Sequence, residues 1–186
     1  PTMPPLLGSP AIDAAPTSAS ATGQRGVPRP YGGVADIGAV EVVAFVVSNN
    51  TDSDAGSLRS TLAEAAAYSP SVRTLVSFDA ALSGQTITLA SELAVTSDLW
   101  LDGSTLTEGI TLSGNNSSRV LNISAGTTVD LNRLTITAGM TGADSDGAGC
   151  LNAGGLTVRH STVHGNASGR HGGGIANSGL LTVVNS

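Results

Sequence analysis

The hexapeptide GAGCLN at residues 147–152 recurs as GGGIAN at residues 172–177, an offset of 25, and the same offset lays Leu156-Thr157-Val158 on Leu181-Thr182-Val183. A looser earlier copy of the turn lies between Thr135 and Asn152. A unit of this length, made of strand bursts and glycine turns, cannot bury an apolar face by itself. It becomes stable when copies stack, so the repeat specifies a solenoid whose coils pair through parallel ladders about 4.8 Å apart. Equivalence of position then assigns orientation. Cys150 stands where Ile175 stands, which makes it an inward-facing small hydrophobe and not a nucleophile. Asn152 over Asn177 predicts an asparagine ladder, with side-chain amides satisfying turn backbone from coil to coil.

From Val72 onward the chain supplies strands to stack. Thr74 to Phe78, Thr86 to Leu89, Leu93 to Val95, Leu99 to Leu101 and Ile110 to Leu112 are short period-two bursts, followed by Val120 to Ile123, Val129 to Leu131 and Leu134 to Ile136. Strands this short and regular, separated by Gly, Asn and Ser, fit an all-β architecture. Aromatics are only 3% of residues, so Val, Leu, Ile and Ala must fill the interior. Narrow coils suit such a set.

The N-terminal part reads differently. Residues 1–41 are rich in Pro, Gly, Ala and Ser and are expected to be an irregular extended segment that packs on another surface. VVAFVV at 42–47 is the first strand, and the SLRSTLAEAAAY stretch at 57–68 places Leu58, Leu62 and Ala65/Ala66 on one helical face. Ser57 is the expected N-cap, and Ser69-Pro70 the stop.

All eight basic residues are Arg against a formal charge of −6, which excludes the basic footprint of a nucleic-acid binder. Cys150 is the sole cysteine, so there is no internal disulfide and no cysteine-based zinc site. No apolar run reaches the roughly 18 to 20 residues of a membrane span, and the opening PTMPPLLGSP lacks the regions of a signal peptide.

Candidate sites are sparse. A glycosidase needs two positioned carboxylates, and a lyase on a parallel β-helix needs a base beside a calcium-binding acidic cluster. Asp79, Asp98, Asp102, Glu108 and Asp130 are scattered, mainly in loops, and nothing in the sequence places a carboxylate beside Arg133, Arg159 or Arg170. The expectation is no catalytic residue and no enzyme. Asp144 with Asp146, and less strongly Asp52 with Asp54, have the D-x-D spacing of calcium loops; calcium is the one cofactor to consider, although turn chemistry alone selects Asp, Ser and Gly there. His160, His164 and His171 cluster in a strand-and-turn stretch, where solvent-facing histidines are expected in place of a zinc site. Trp100 alternates with Leu99 and Leu101 and so points outward, as a partly covered surface residue.

Residues 46–186 resemble the right-handed parallel β-helix regions of large bacterial surface proteins, including the polymorphic outer-membrane type. The resemblance rests on VVSNNTDSDAGSLRSTLAEA, TITLASELAV, LWLDGS, RVLNISAGTTVDLNRLTI and GGGIANSGLLTVVNS. It implies a helix lying across the open end of the first coil, with Leu58 and Leu62 plugging the core. GSPAIDAA, QRGVPRP and ADIGAVE in residues 1–41 resemble the choice-of-anchor Q domain, which in related proteins closes the far end of a β-helix. An end-piece followed by a beginning is the order produced by cutting a tandem array inside its modules. The expectation is therefore two regions: 1–41, closing or linking to a neighbouring β-helix, and 42–186, the β-helix itself. The strand at 181–183 is expected to present an open face, with Leu181 and Val183 meeting Ile12, Ile37 and Val40 of an adjacent module or another copy, head to tail.

The expected role is a structural module of an extracellular or cell-surface bacterial filament, stalk or adhesin. The alternative is a carbohydrate-binding or polysaccharide-cleaving β-helix, for which surface glycans are the partners and a row of aromatic and acidic side chains the signature.

Overall fold

Alternating apolar and polar residues become strands only where every second side chain finds a core, and stacking supplies that core fourteen times among the described residues. A computed structural model describes residues 9–11, 14–15, 22–24, 34, 36–38, 42–68 and 73–186. Ile12, Val40 and the Ser69-Pro70 stop lie outside them.

The strands form three sheets, all parallel. The first holds β1 (Val43–Val47), β2 (Thr74–Phe78), β5 (Leu99–Asp102), β8 (Thr128–Asn132), β11 (Gly155–Arg159) and β14 (Leu180–Val184) in that spatial order. The second holds β3 (Thr86–Thr88), β6 (Ile110–Ser113), β9 (Leu134–Thr137) and β12 (Thr162–Val163). The third holds β4 (Leu93–Val95), β7 (Leu121–Ile123), β10 (Cys150–Asn152) and β13 (Ile175–Asn177). Each coil visits the first sheet, then the second, then the third, and returns one ladder further on. The chain is an all-β, right-handed parallel β-helix with one short capping α-helix.

Register shows how the core is built. Val43, Thr74, Leu99, Val129, Leu156 and Leu181 stack in one inward row of the first sheet, and Phe45, Val76, Leu101, Leu131, Val158 and Val183 in the next. In the third sheet Leu93, Leu121, Cys150 and Ile175 stack likewise. The pairings Cys150 to Ile175, Asn152 to Asn177 and Val158 to Val183 reproduce the offset of 25. The middle coils are longer: Leu99 pairs with Val129, 30 residues on, and Val129 with Leu156, 27 on. The additional residues sit in corners and leave the ladders intact.

Three of the turn glycines are required by close approach or by hand. Gly147 and its equivalent Gly172 have φ of +66° and +62°, the left-handed region that a side chain resists. A Cβ on Gly179 would lie 2.0 Å from the carbonyl oxygen of Gly154 on the coil beneath.

The helix α1 (Leu58–Tyr68) follows β1 and takes the place of the two strands that would complete that coil. Ser57 caps it: its Oγ accepts from the Ser60 amide at 3.3 Å, and its carbonyl accepts from the Thr61 amide at 2.9 Å. Leu58, Leu62 and Ala65 are buried against Val47, Val76 and Phe78. Arg59 reaches down from α1 to donate to the carbonyls of Ser91 (2.7 Å) and Glu92 (2.9 Å), immediately before β4. β3 and β4 are edge strands at this end of their sheets, so the helix stands over the otherwise open mouth of the first full coil.

Candidate functional site

The opposite end of the helix is different. β12, β13 and β14 each pair on one side only among the described residues. In the inward row of the first sheet, Val76, Leu101, Leu131 and Val158 are almost wholly buried, yet Val183 is 54% exposed; Leu180, on the outward side of the same strand, is 72% exposed. Leu181 and Ile175 are partly buried against the core. Three unpaired strand edges and a row of apolar side chains therefore share one face. Of the N-terminal residues expected to meet such a face, Ile37 is described; its side chain is 56% exposed and its amide donates to the carbonyl of Ala11 at 2.7 Å.

Polar side chains between coils form ladders. The Asn152 amide nitrogen donates to Asn177 Oδ1 at 2.6 Å and to the Leu180 carbonyl at 3.0 Å, while Asn152 Oδ1 accepts from the Gly154 amide at 3.1 Å. A second ladder runs along the corner between the first two sheets. Asn132 donates to Asp102 (2.8 Å), His160 Nδ1 lies 3.2 Å from Asn132 Oδ1, and Asn185 lies 3.4 Å from His160 Nε2. The turns beside it hold Arg133, His160 and Asn185 at equivalent positions with φ of 55°, 46° and 51°. Nothing in the type of Arg133 signals such a backbone; His160 and Asn185, of types enriched there, do.

The charged residues depart from expectation in one respect. Asp102 and Asp130 lie in strands on the outer face of the first sheet, and arginines do find carboxylates. Asp130 is ion-paired with Arg73 and, at 3.3 Å, with Arg159, and Arg170 lies 3.9 Å from Asp146. The register supplies these contacts: Asp130 pairs with Trp100 on one coil and Thr157 on the next, which puts it between the arginines. The Arg73 guanidinium crosses 4.2 Å above the Trp100 ring on its way to Asp130, and Trp100 is only 7% exposed, more deeply covered than its alternation implies.

One carboxylate of each calcium candidate pair is engaged with a cation. Asp52 pairs with Arg59 at 2.7 Å, and Asp54 is exposed nearby, its carbonyl accepting from the Ser57 amide. Asp146 Oδ1 accepts from the His171 amide at 3.0 Å and lies 3.2 Å from His171 Nδ1; Asp144 is exposed two residues earlier. The His171 amide, assisted by the His171 ring and the Arg170 charge, holds the Asp146 carboxyl below its ordinary value. Among the described residues no three His, Cys, Asp or Glu side chains gather where they would hold a metal ion. His160, His164 and His171 are all exposed; His160 stands at the corner between the first and second sheets, and His164 and His171 lie in the connection from the second to the third. Cys150 is fully buried, and loss of hydration pushes its thiol up to about 12.

A shallow polar cleft runs along the start of the second sheet, lined by Glu108, Arg133, Thr135, His160 and Thr162. No described helix is long and apolar enough to cross a membrane. Compared with known proteins, the chain matches no family model, no curated protein and no solved structure.

Proposed function

We propose that this chain is a structural module of an extracellular or cell-surface bacterial filament, stalk or adhesin, in which coils continue across the β12–β13–β14 face. The observation carrying the reading is the exposure of Val183 in a row whose four preceding members are buried. An apolar row flanked by unpaired strand edges is a template for further parallel strands, and each added coil buries the one below. With α1 over one end and the β12, β13 and β14 edges at the other, the two ends differ, so the contact is directional, head to tail. Contacts of that kind build length unless rotation closes them. The resemblance of residues 46–186 to bacterial surface β-helices supports placement outside the cell. The added coils belong either to a neighbouring module of a longer chain or to another copy.

Electron microscopy of native material, paired with intact mass under denaturing conditions, tests the reading. Fibres of an 18.3 kDa chain that vanish on deletion of residues 1–41 indicate noncovalent assembly, and fibres of a much heavier chain indicate a tandem array. Discrete monomers of 18.3 kDa overturn it.

A further inference from the structure

The three sheets differ in what they turn outward. The outward row of the first sheet reads Leu75, Trp100, Asp130, Thr157, Thr182, and that of the third reads Ala94, Asn122, Leu151, Ala176. The second sheet is uniform. Thr86, Thr111, Thr135 and Thr162 stand in register across four coils, and Thr88, Ser113 and Thr137 form a second row two residues along. The inward residues between them are Ile87, Leu112, Ile136 and Val163. Strand propensity does not explain the difference, since all three sheets make the same demand for β-formers and two of them meet it with mixed residues.

A second observation concerns the hydroxyls. Elsewhere in the molecule Ser57, Thr61, Thr127 and Ser161 turn theirs back onto the protein's own backbone. The side chains of Thr86, Thr88, Thr111, Thr135, Thr137 and Thr162 make no hydrogen bond within the described protein. Their hydroxyls are free for an outside partner, and each carries a methyl beside it.

We infer that the outer face of the second sheet is a lattice-matching surface for ice. Parallel pairing sets one repeat of the array at about 4.8 Å between coils, and the strand sets the other at roughly 6.6 Å for two residues. The first falls near the shorter in-plane repeat of hexagonal ice, and the second lies somewhat below the longer one. The β-branched side chains are stiff about χ1, so little rotamer freedom remains to be lost on adsorption. Methyl groups order water between them while hydroxyls anchor it, and a water layer held this way merges with a growing crystal plane. Competing partners lack their usual contacts. No Phe, Tyr or Trp lies in the two rows to stack on a sugar; His164 ends the second row on the last coil, its amide donating to the Ile136 carbonyl at 3.1 Å, and Glu108 and Arg133 line the cleft at the strand starts together with Thr135 and Thr162.

The test is to grow single ice crystals in solutions of the full chain and record their shape and the gap between melting and freezing points. Faceted crystals and a measurable gap are expected. Thr135→Lys, at the centre of the array, should abolish both while leaving the circular dichroism melt unchanged. Thr162→Lys, in an outer coil, should weaken them, and Thr157→Lys, on the first sheet, should leave them intact. Round crystals without a gap from a folded chain overturn the proposal. So does activity that Thr157→Lys removes as completely as Thr135→Lys, or retention on crystalline cellulose or chitin without effect on ice.

Discussion

The side-chain amide of Asn152 donates to Oδ1 of Asn177, its counterpart one coil on, at 2.6 Å. Asn152 is fully buried, and its remaining polar capacity goes to the Gly154 amide and the Gly154 and Leu180 carbonyls. One amide thus satisfies backbone at the turn from the third sheet to the first on two successive coils. Asn152→Ala strands those groups away from water and should destabilise the protein by about 1–3 kcal/mol. Asn177→Ala, at an exposed position, should do so by less than about 1 kcal/mol. Urea denaturation of the two variants checks the order.

The helix tests the capping argument. Leu58 is buried with Val47, Val76 and Phe78, and its truncation to Ala should cost about 2–5 kcal/mol, as for other buried leucines. Ser57→Ala removes only the cap and should cost about 1 kcal/mol. If Leu58→Ala proves as mild as the cap variant in thermal melts, the helix lies on the solenoid without closing it.

Burial of Cys150 makes a pH prediction with a definite sign. Its thiol is raised from 9.0 in the unfolded chain to about 12 in the fold. The folded state therefore holds the proton that the unfolded chain releases, so stability is fully present below pH 9 and declines as pH rises through the interval to about 12. Urea midpoints between those limits should fall in the native sequence and stay flatter in Cys150→Val. In the native state at neutral pH the thiol should resist maleimide until denaturant is added.

Asp146 has the opposite sign. Its carboxyl is held below 3.8 chiefly by the His171 amide, so the tie between the two turns is present above that value and is lost as pH falls through the lower folded one. Amide exchange at His171, compared with a buried-strand amide as internal standard, should accelerate in acid. Asp146→Asn, which keeps an acceptor without titrating, should remove the acid dependence.

What could be read in the sequence was what repeats locally. The inward rows follow from period-two alternation, and the Asn152 to Asn177 ladder from a motif copied at constant offset. The Arg73, Trp100 and Asp130 cluster was not legible because its members sit on three coils, and the coils of 30 and 27 residues hide the register. The corner at Arg133 was hidden for another reason: an arginine in left-handed backbone carries no turn signal, and only alignment with His160 and Asn185 would have exposed it. The threonine rows were visible as strand formers but became an array only when three different coil lengths were resolved.

The inward row containing Thr74 supplies the last prediction. Its neighbours in the stack are Val43 and Leu99, and its hydroxyl is buried with no hydrogen-bond partner among the described residues. A hydroxyl removed from water without compensation costs about 1–3 kcal/mol in proteins, whereas a methyl in the same volume adds contact with both neighbours. Thr74→Val has nearly the same shape and keeps the β-branch that the strand favours. It should therefore stabilise the fold by about 1 kcal/mol, read as a higher urea midpoint at unchanged slope. Thr135→Val, made on the outer face where the hydroxyl meets water, should leave the midpoint within about 0.5 kcal/mol of the parent. Equal effects from the two substitutions would mean that the Thr74 hydroxyl is hydrated in solution, and that the first sheet admits water between its first coils.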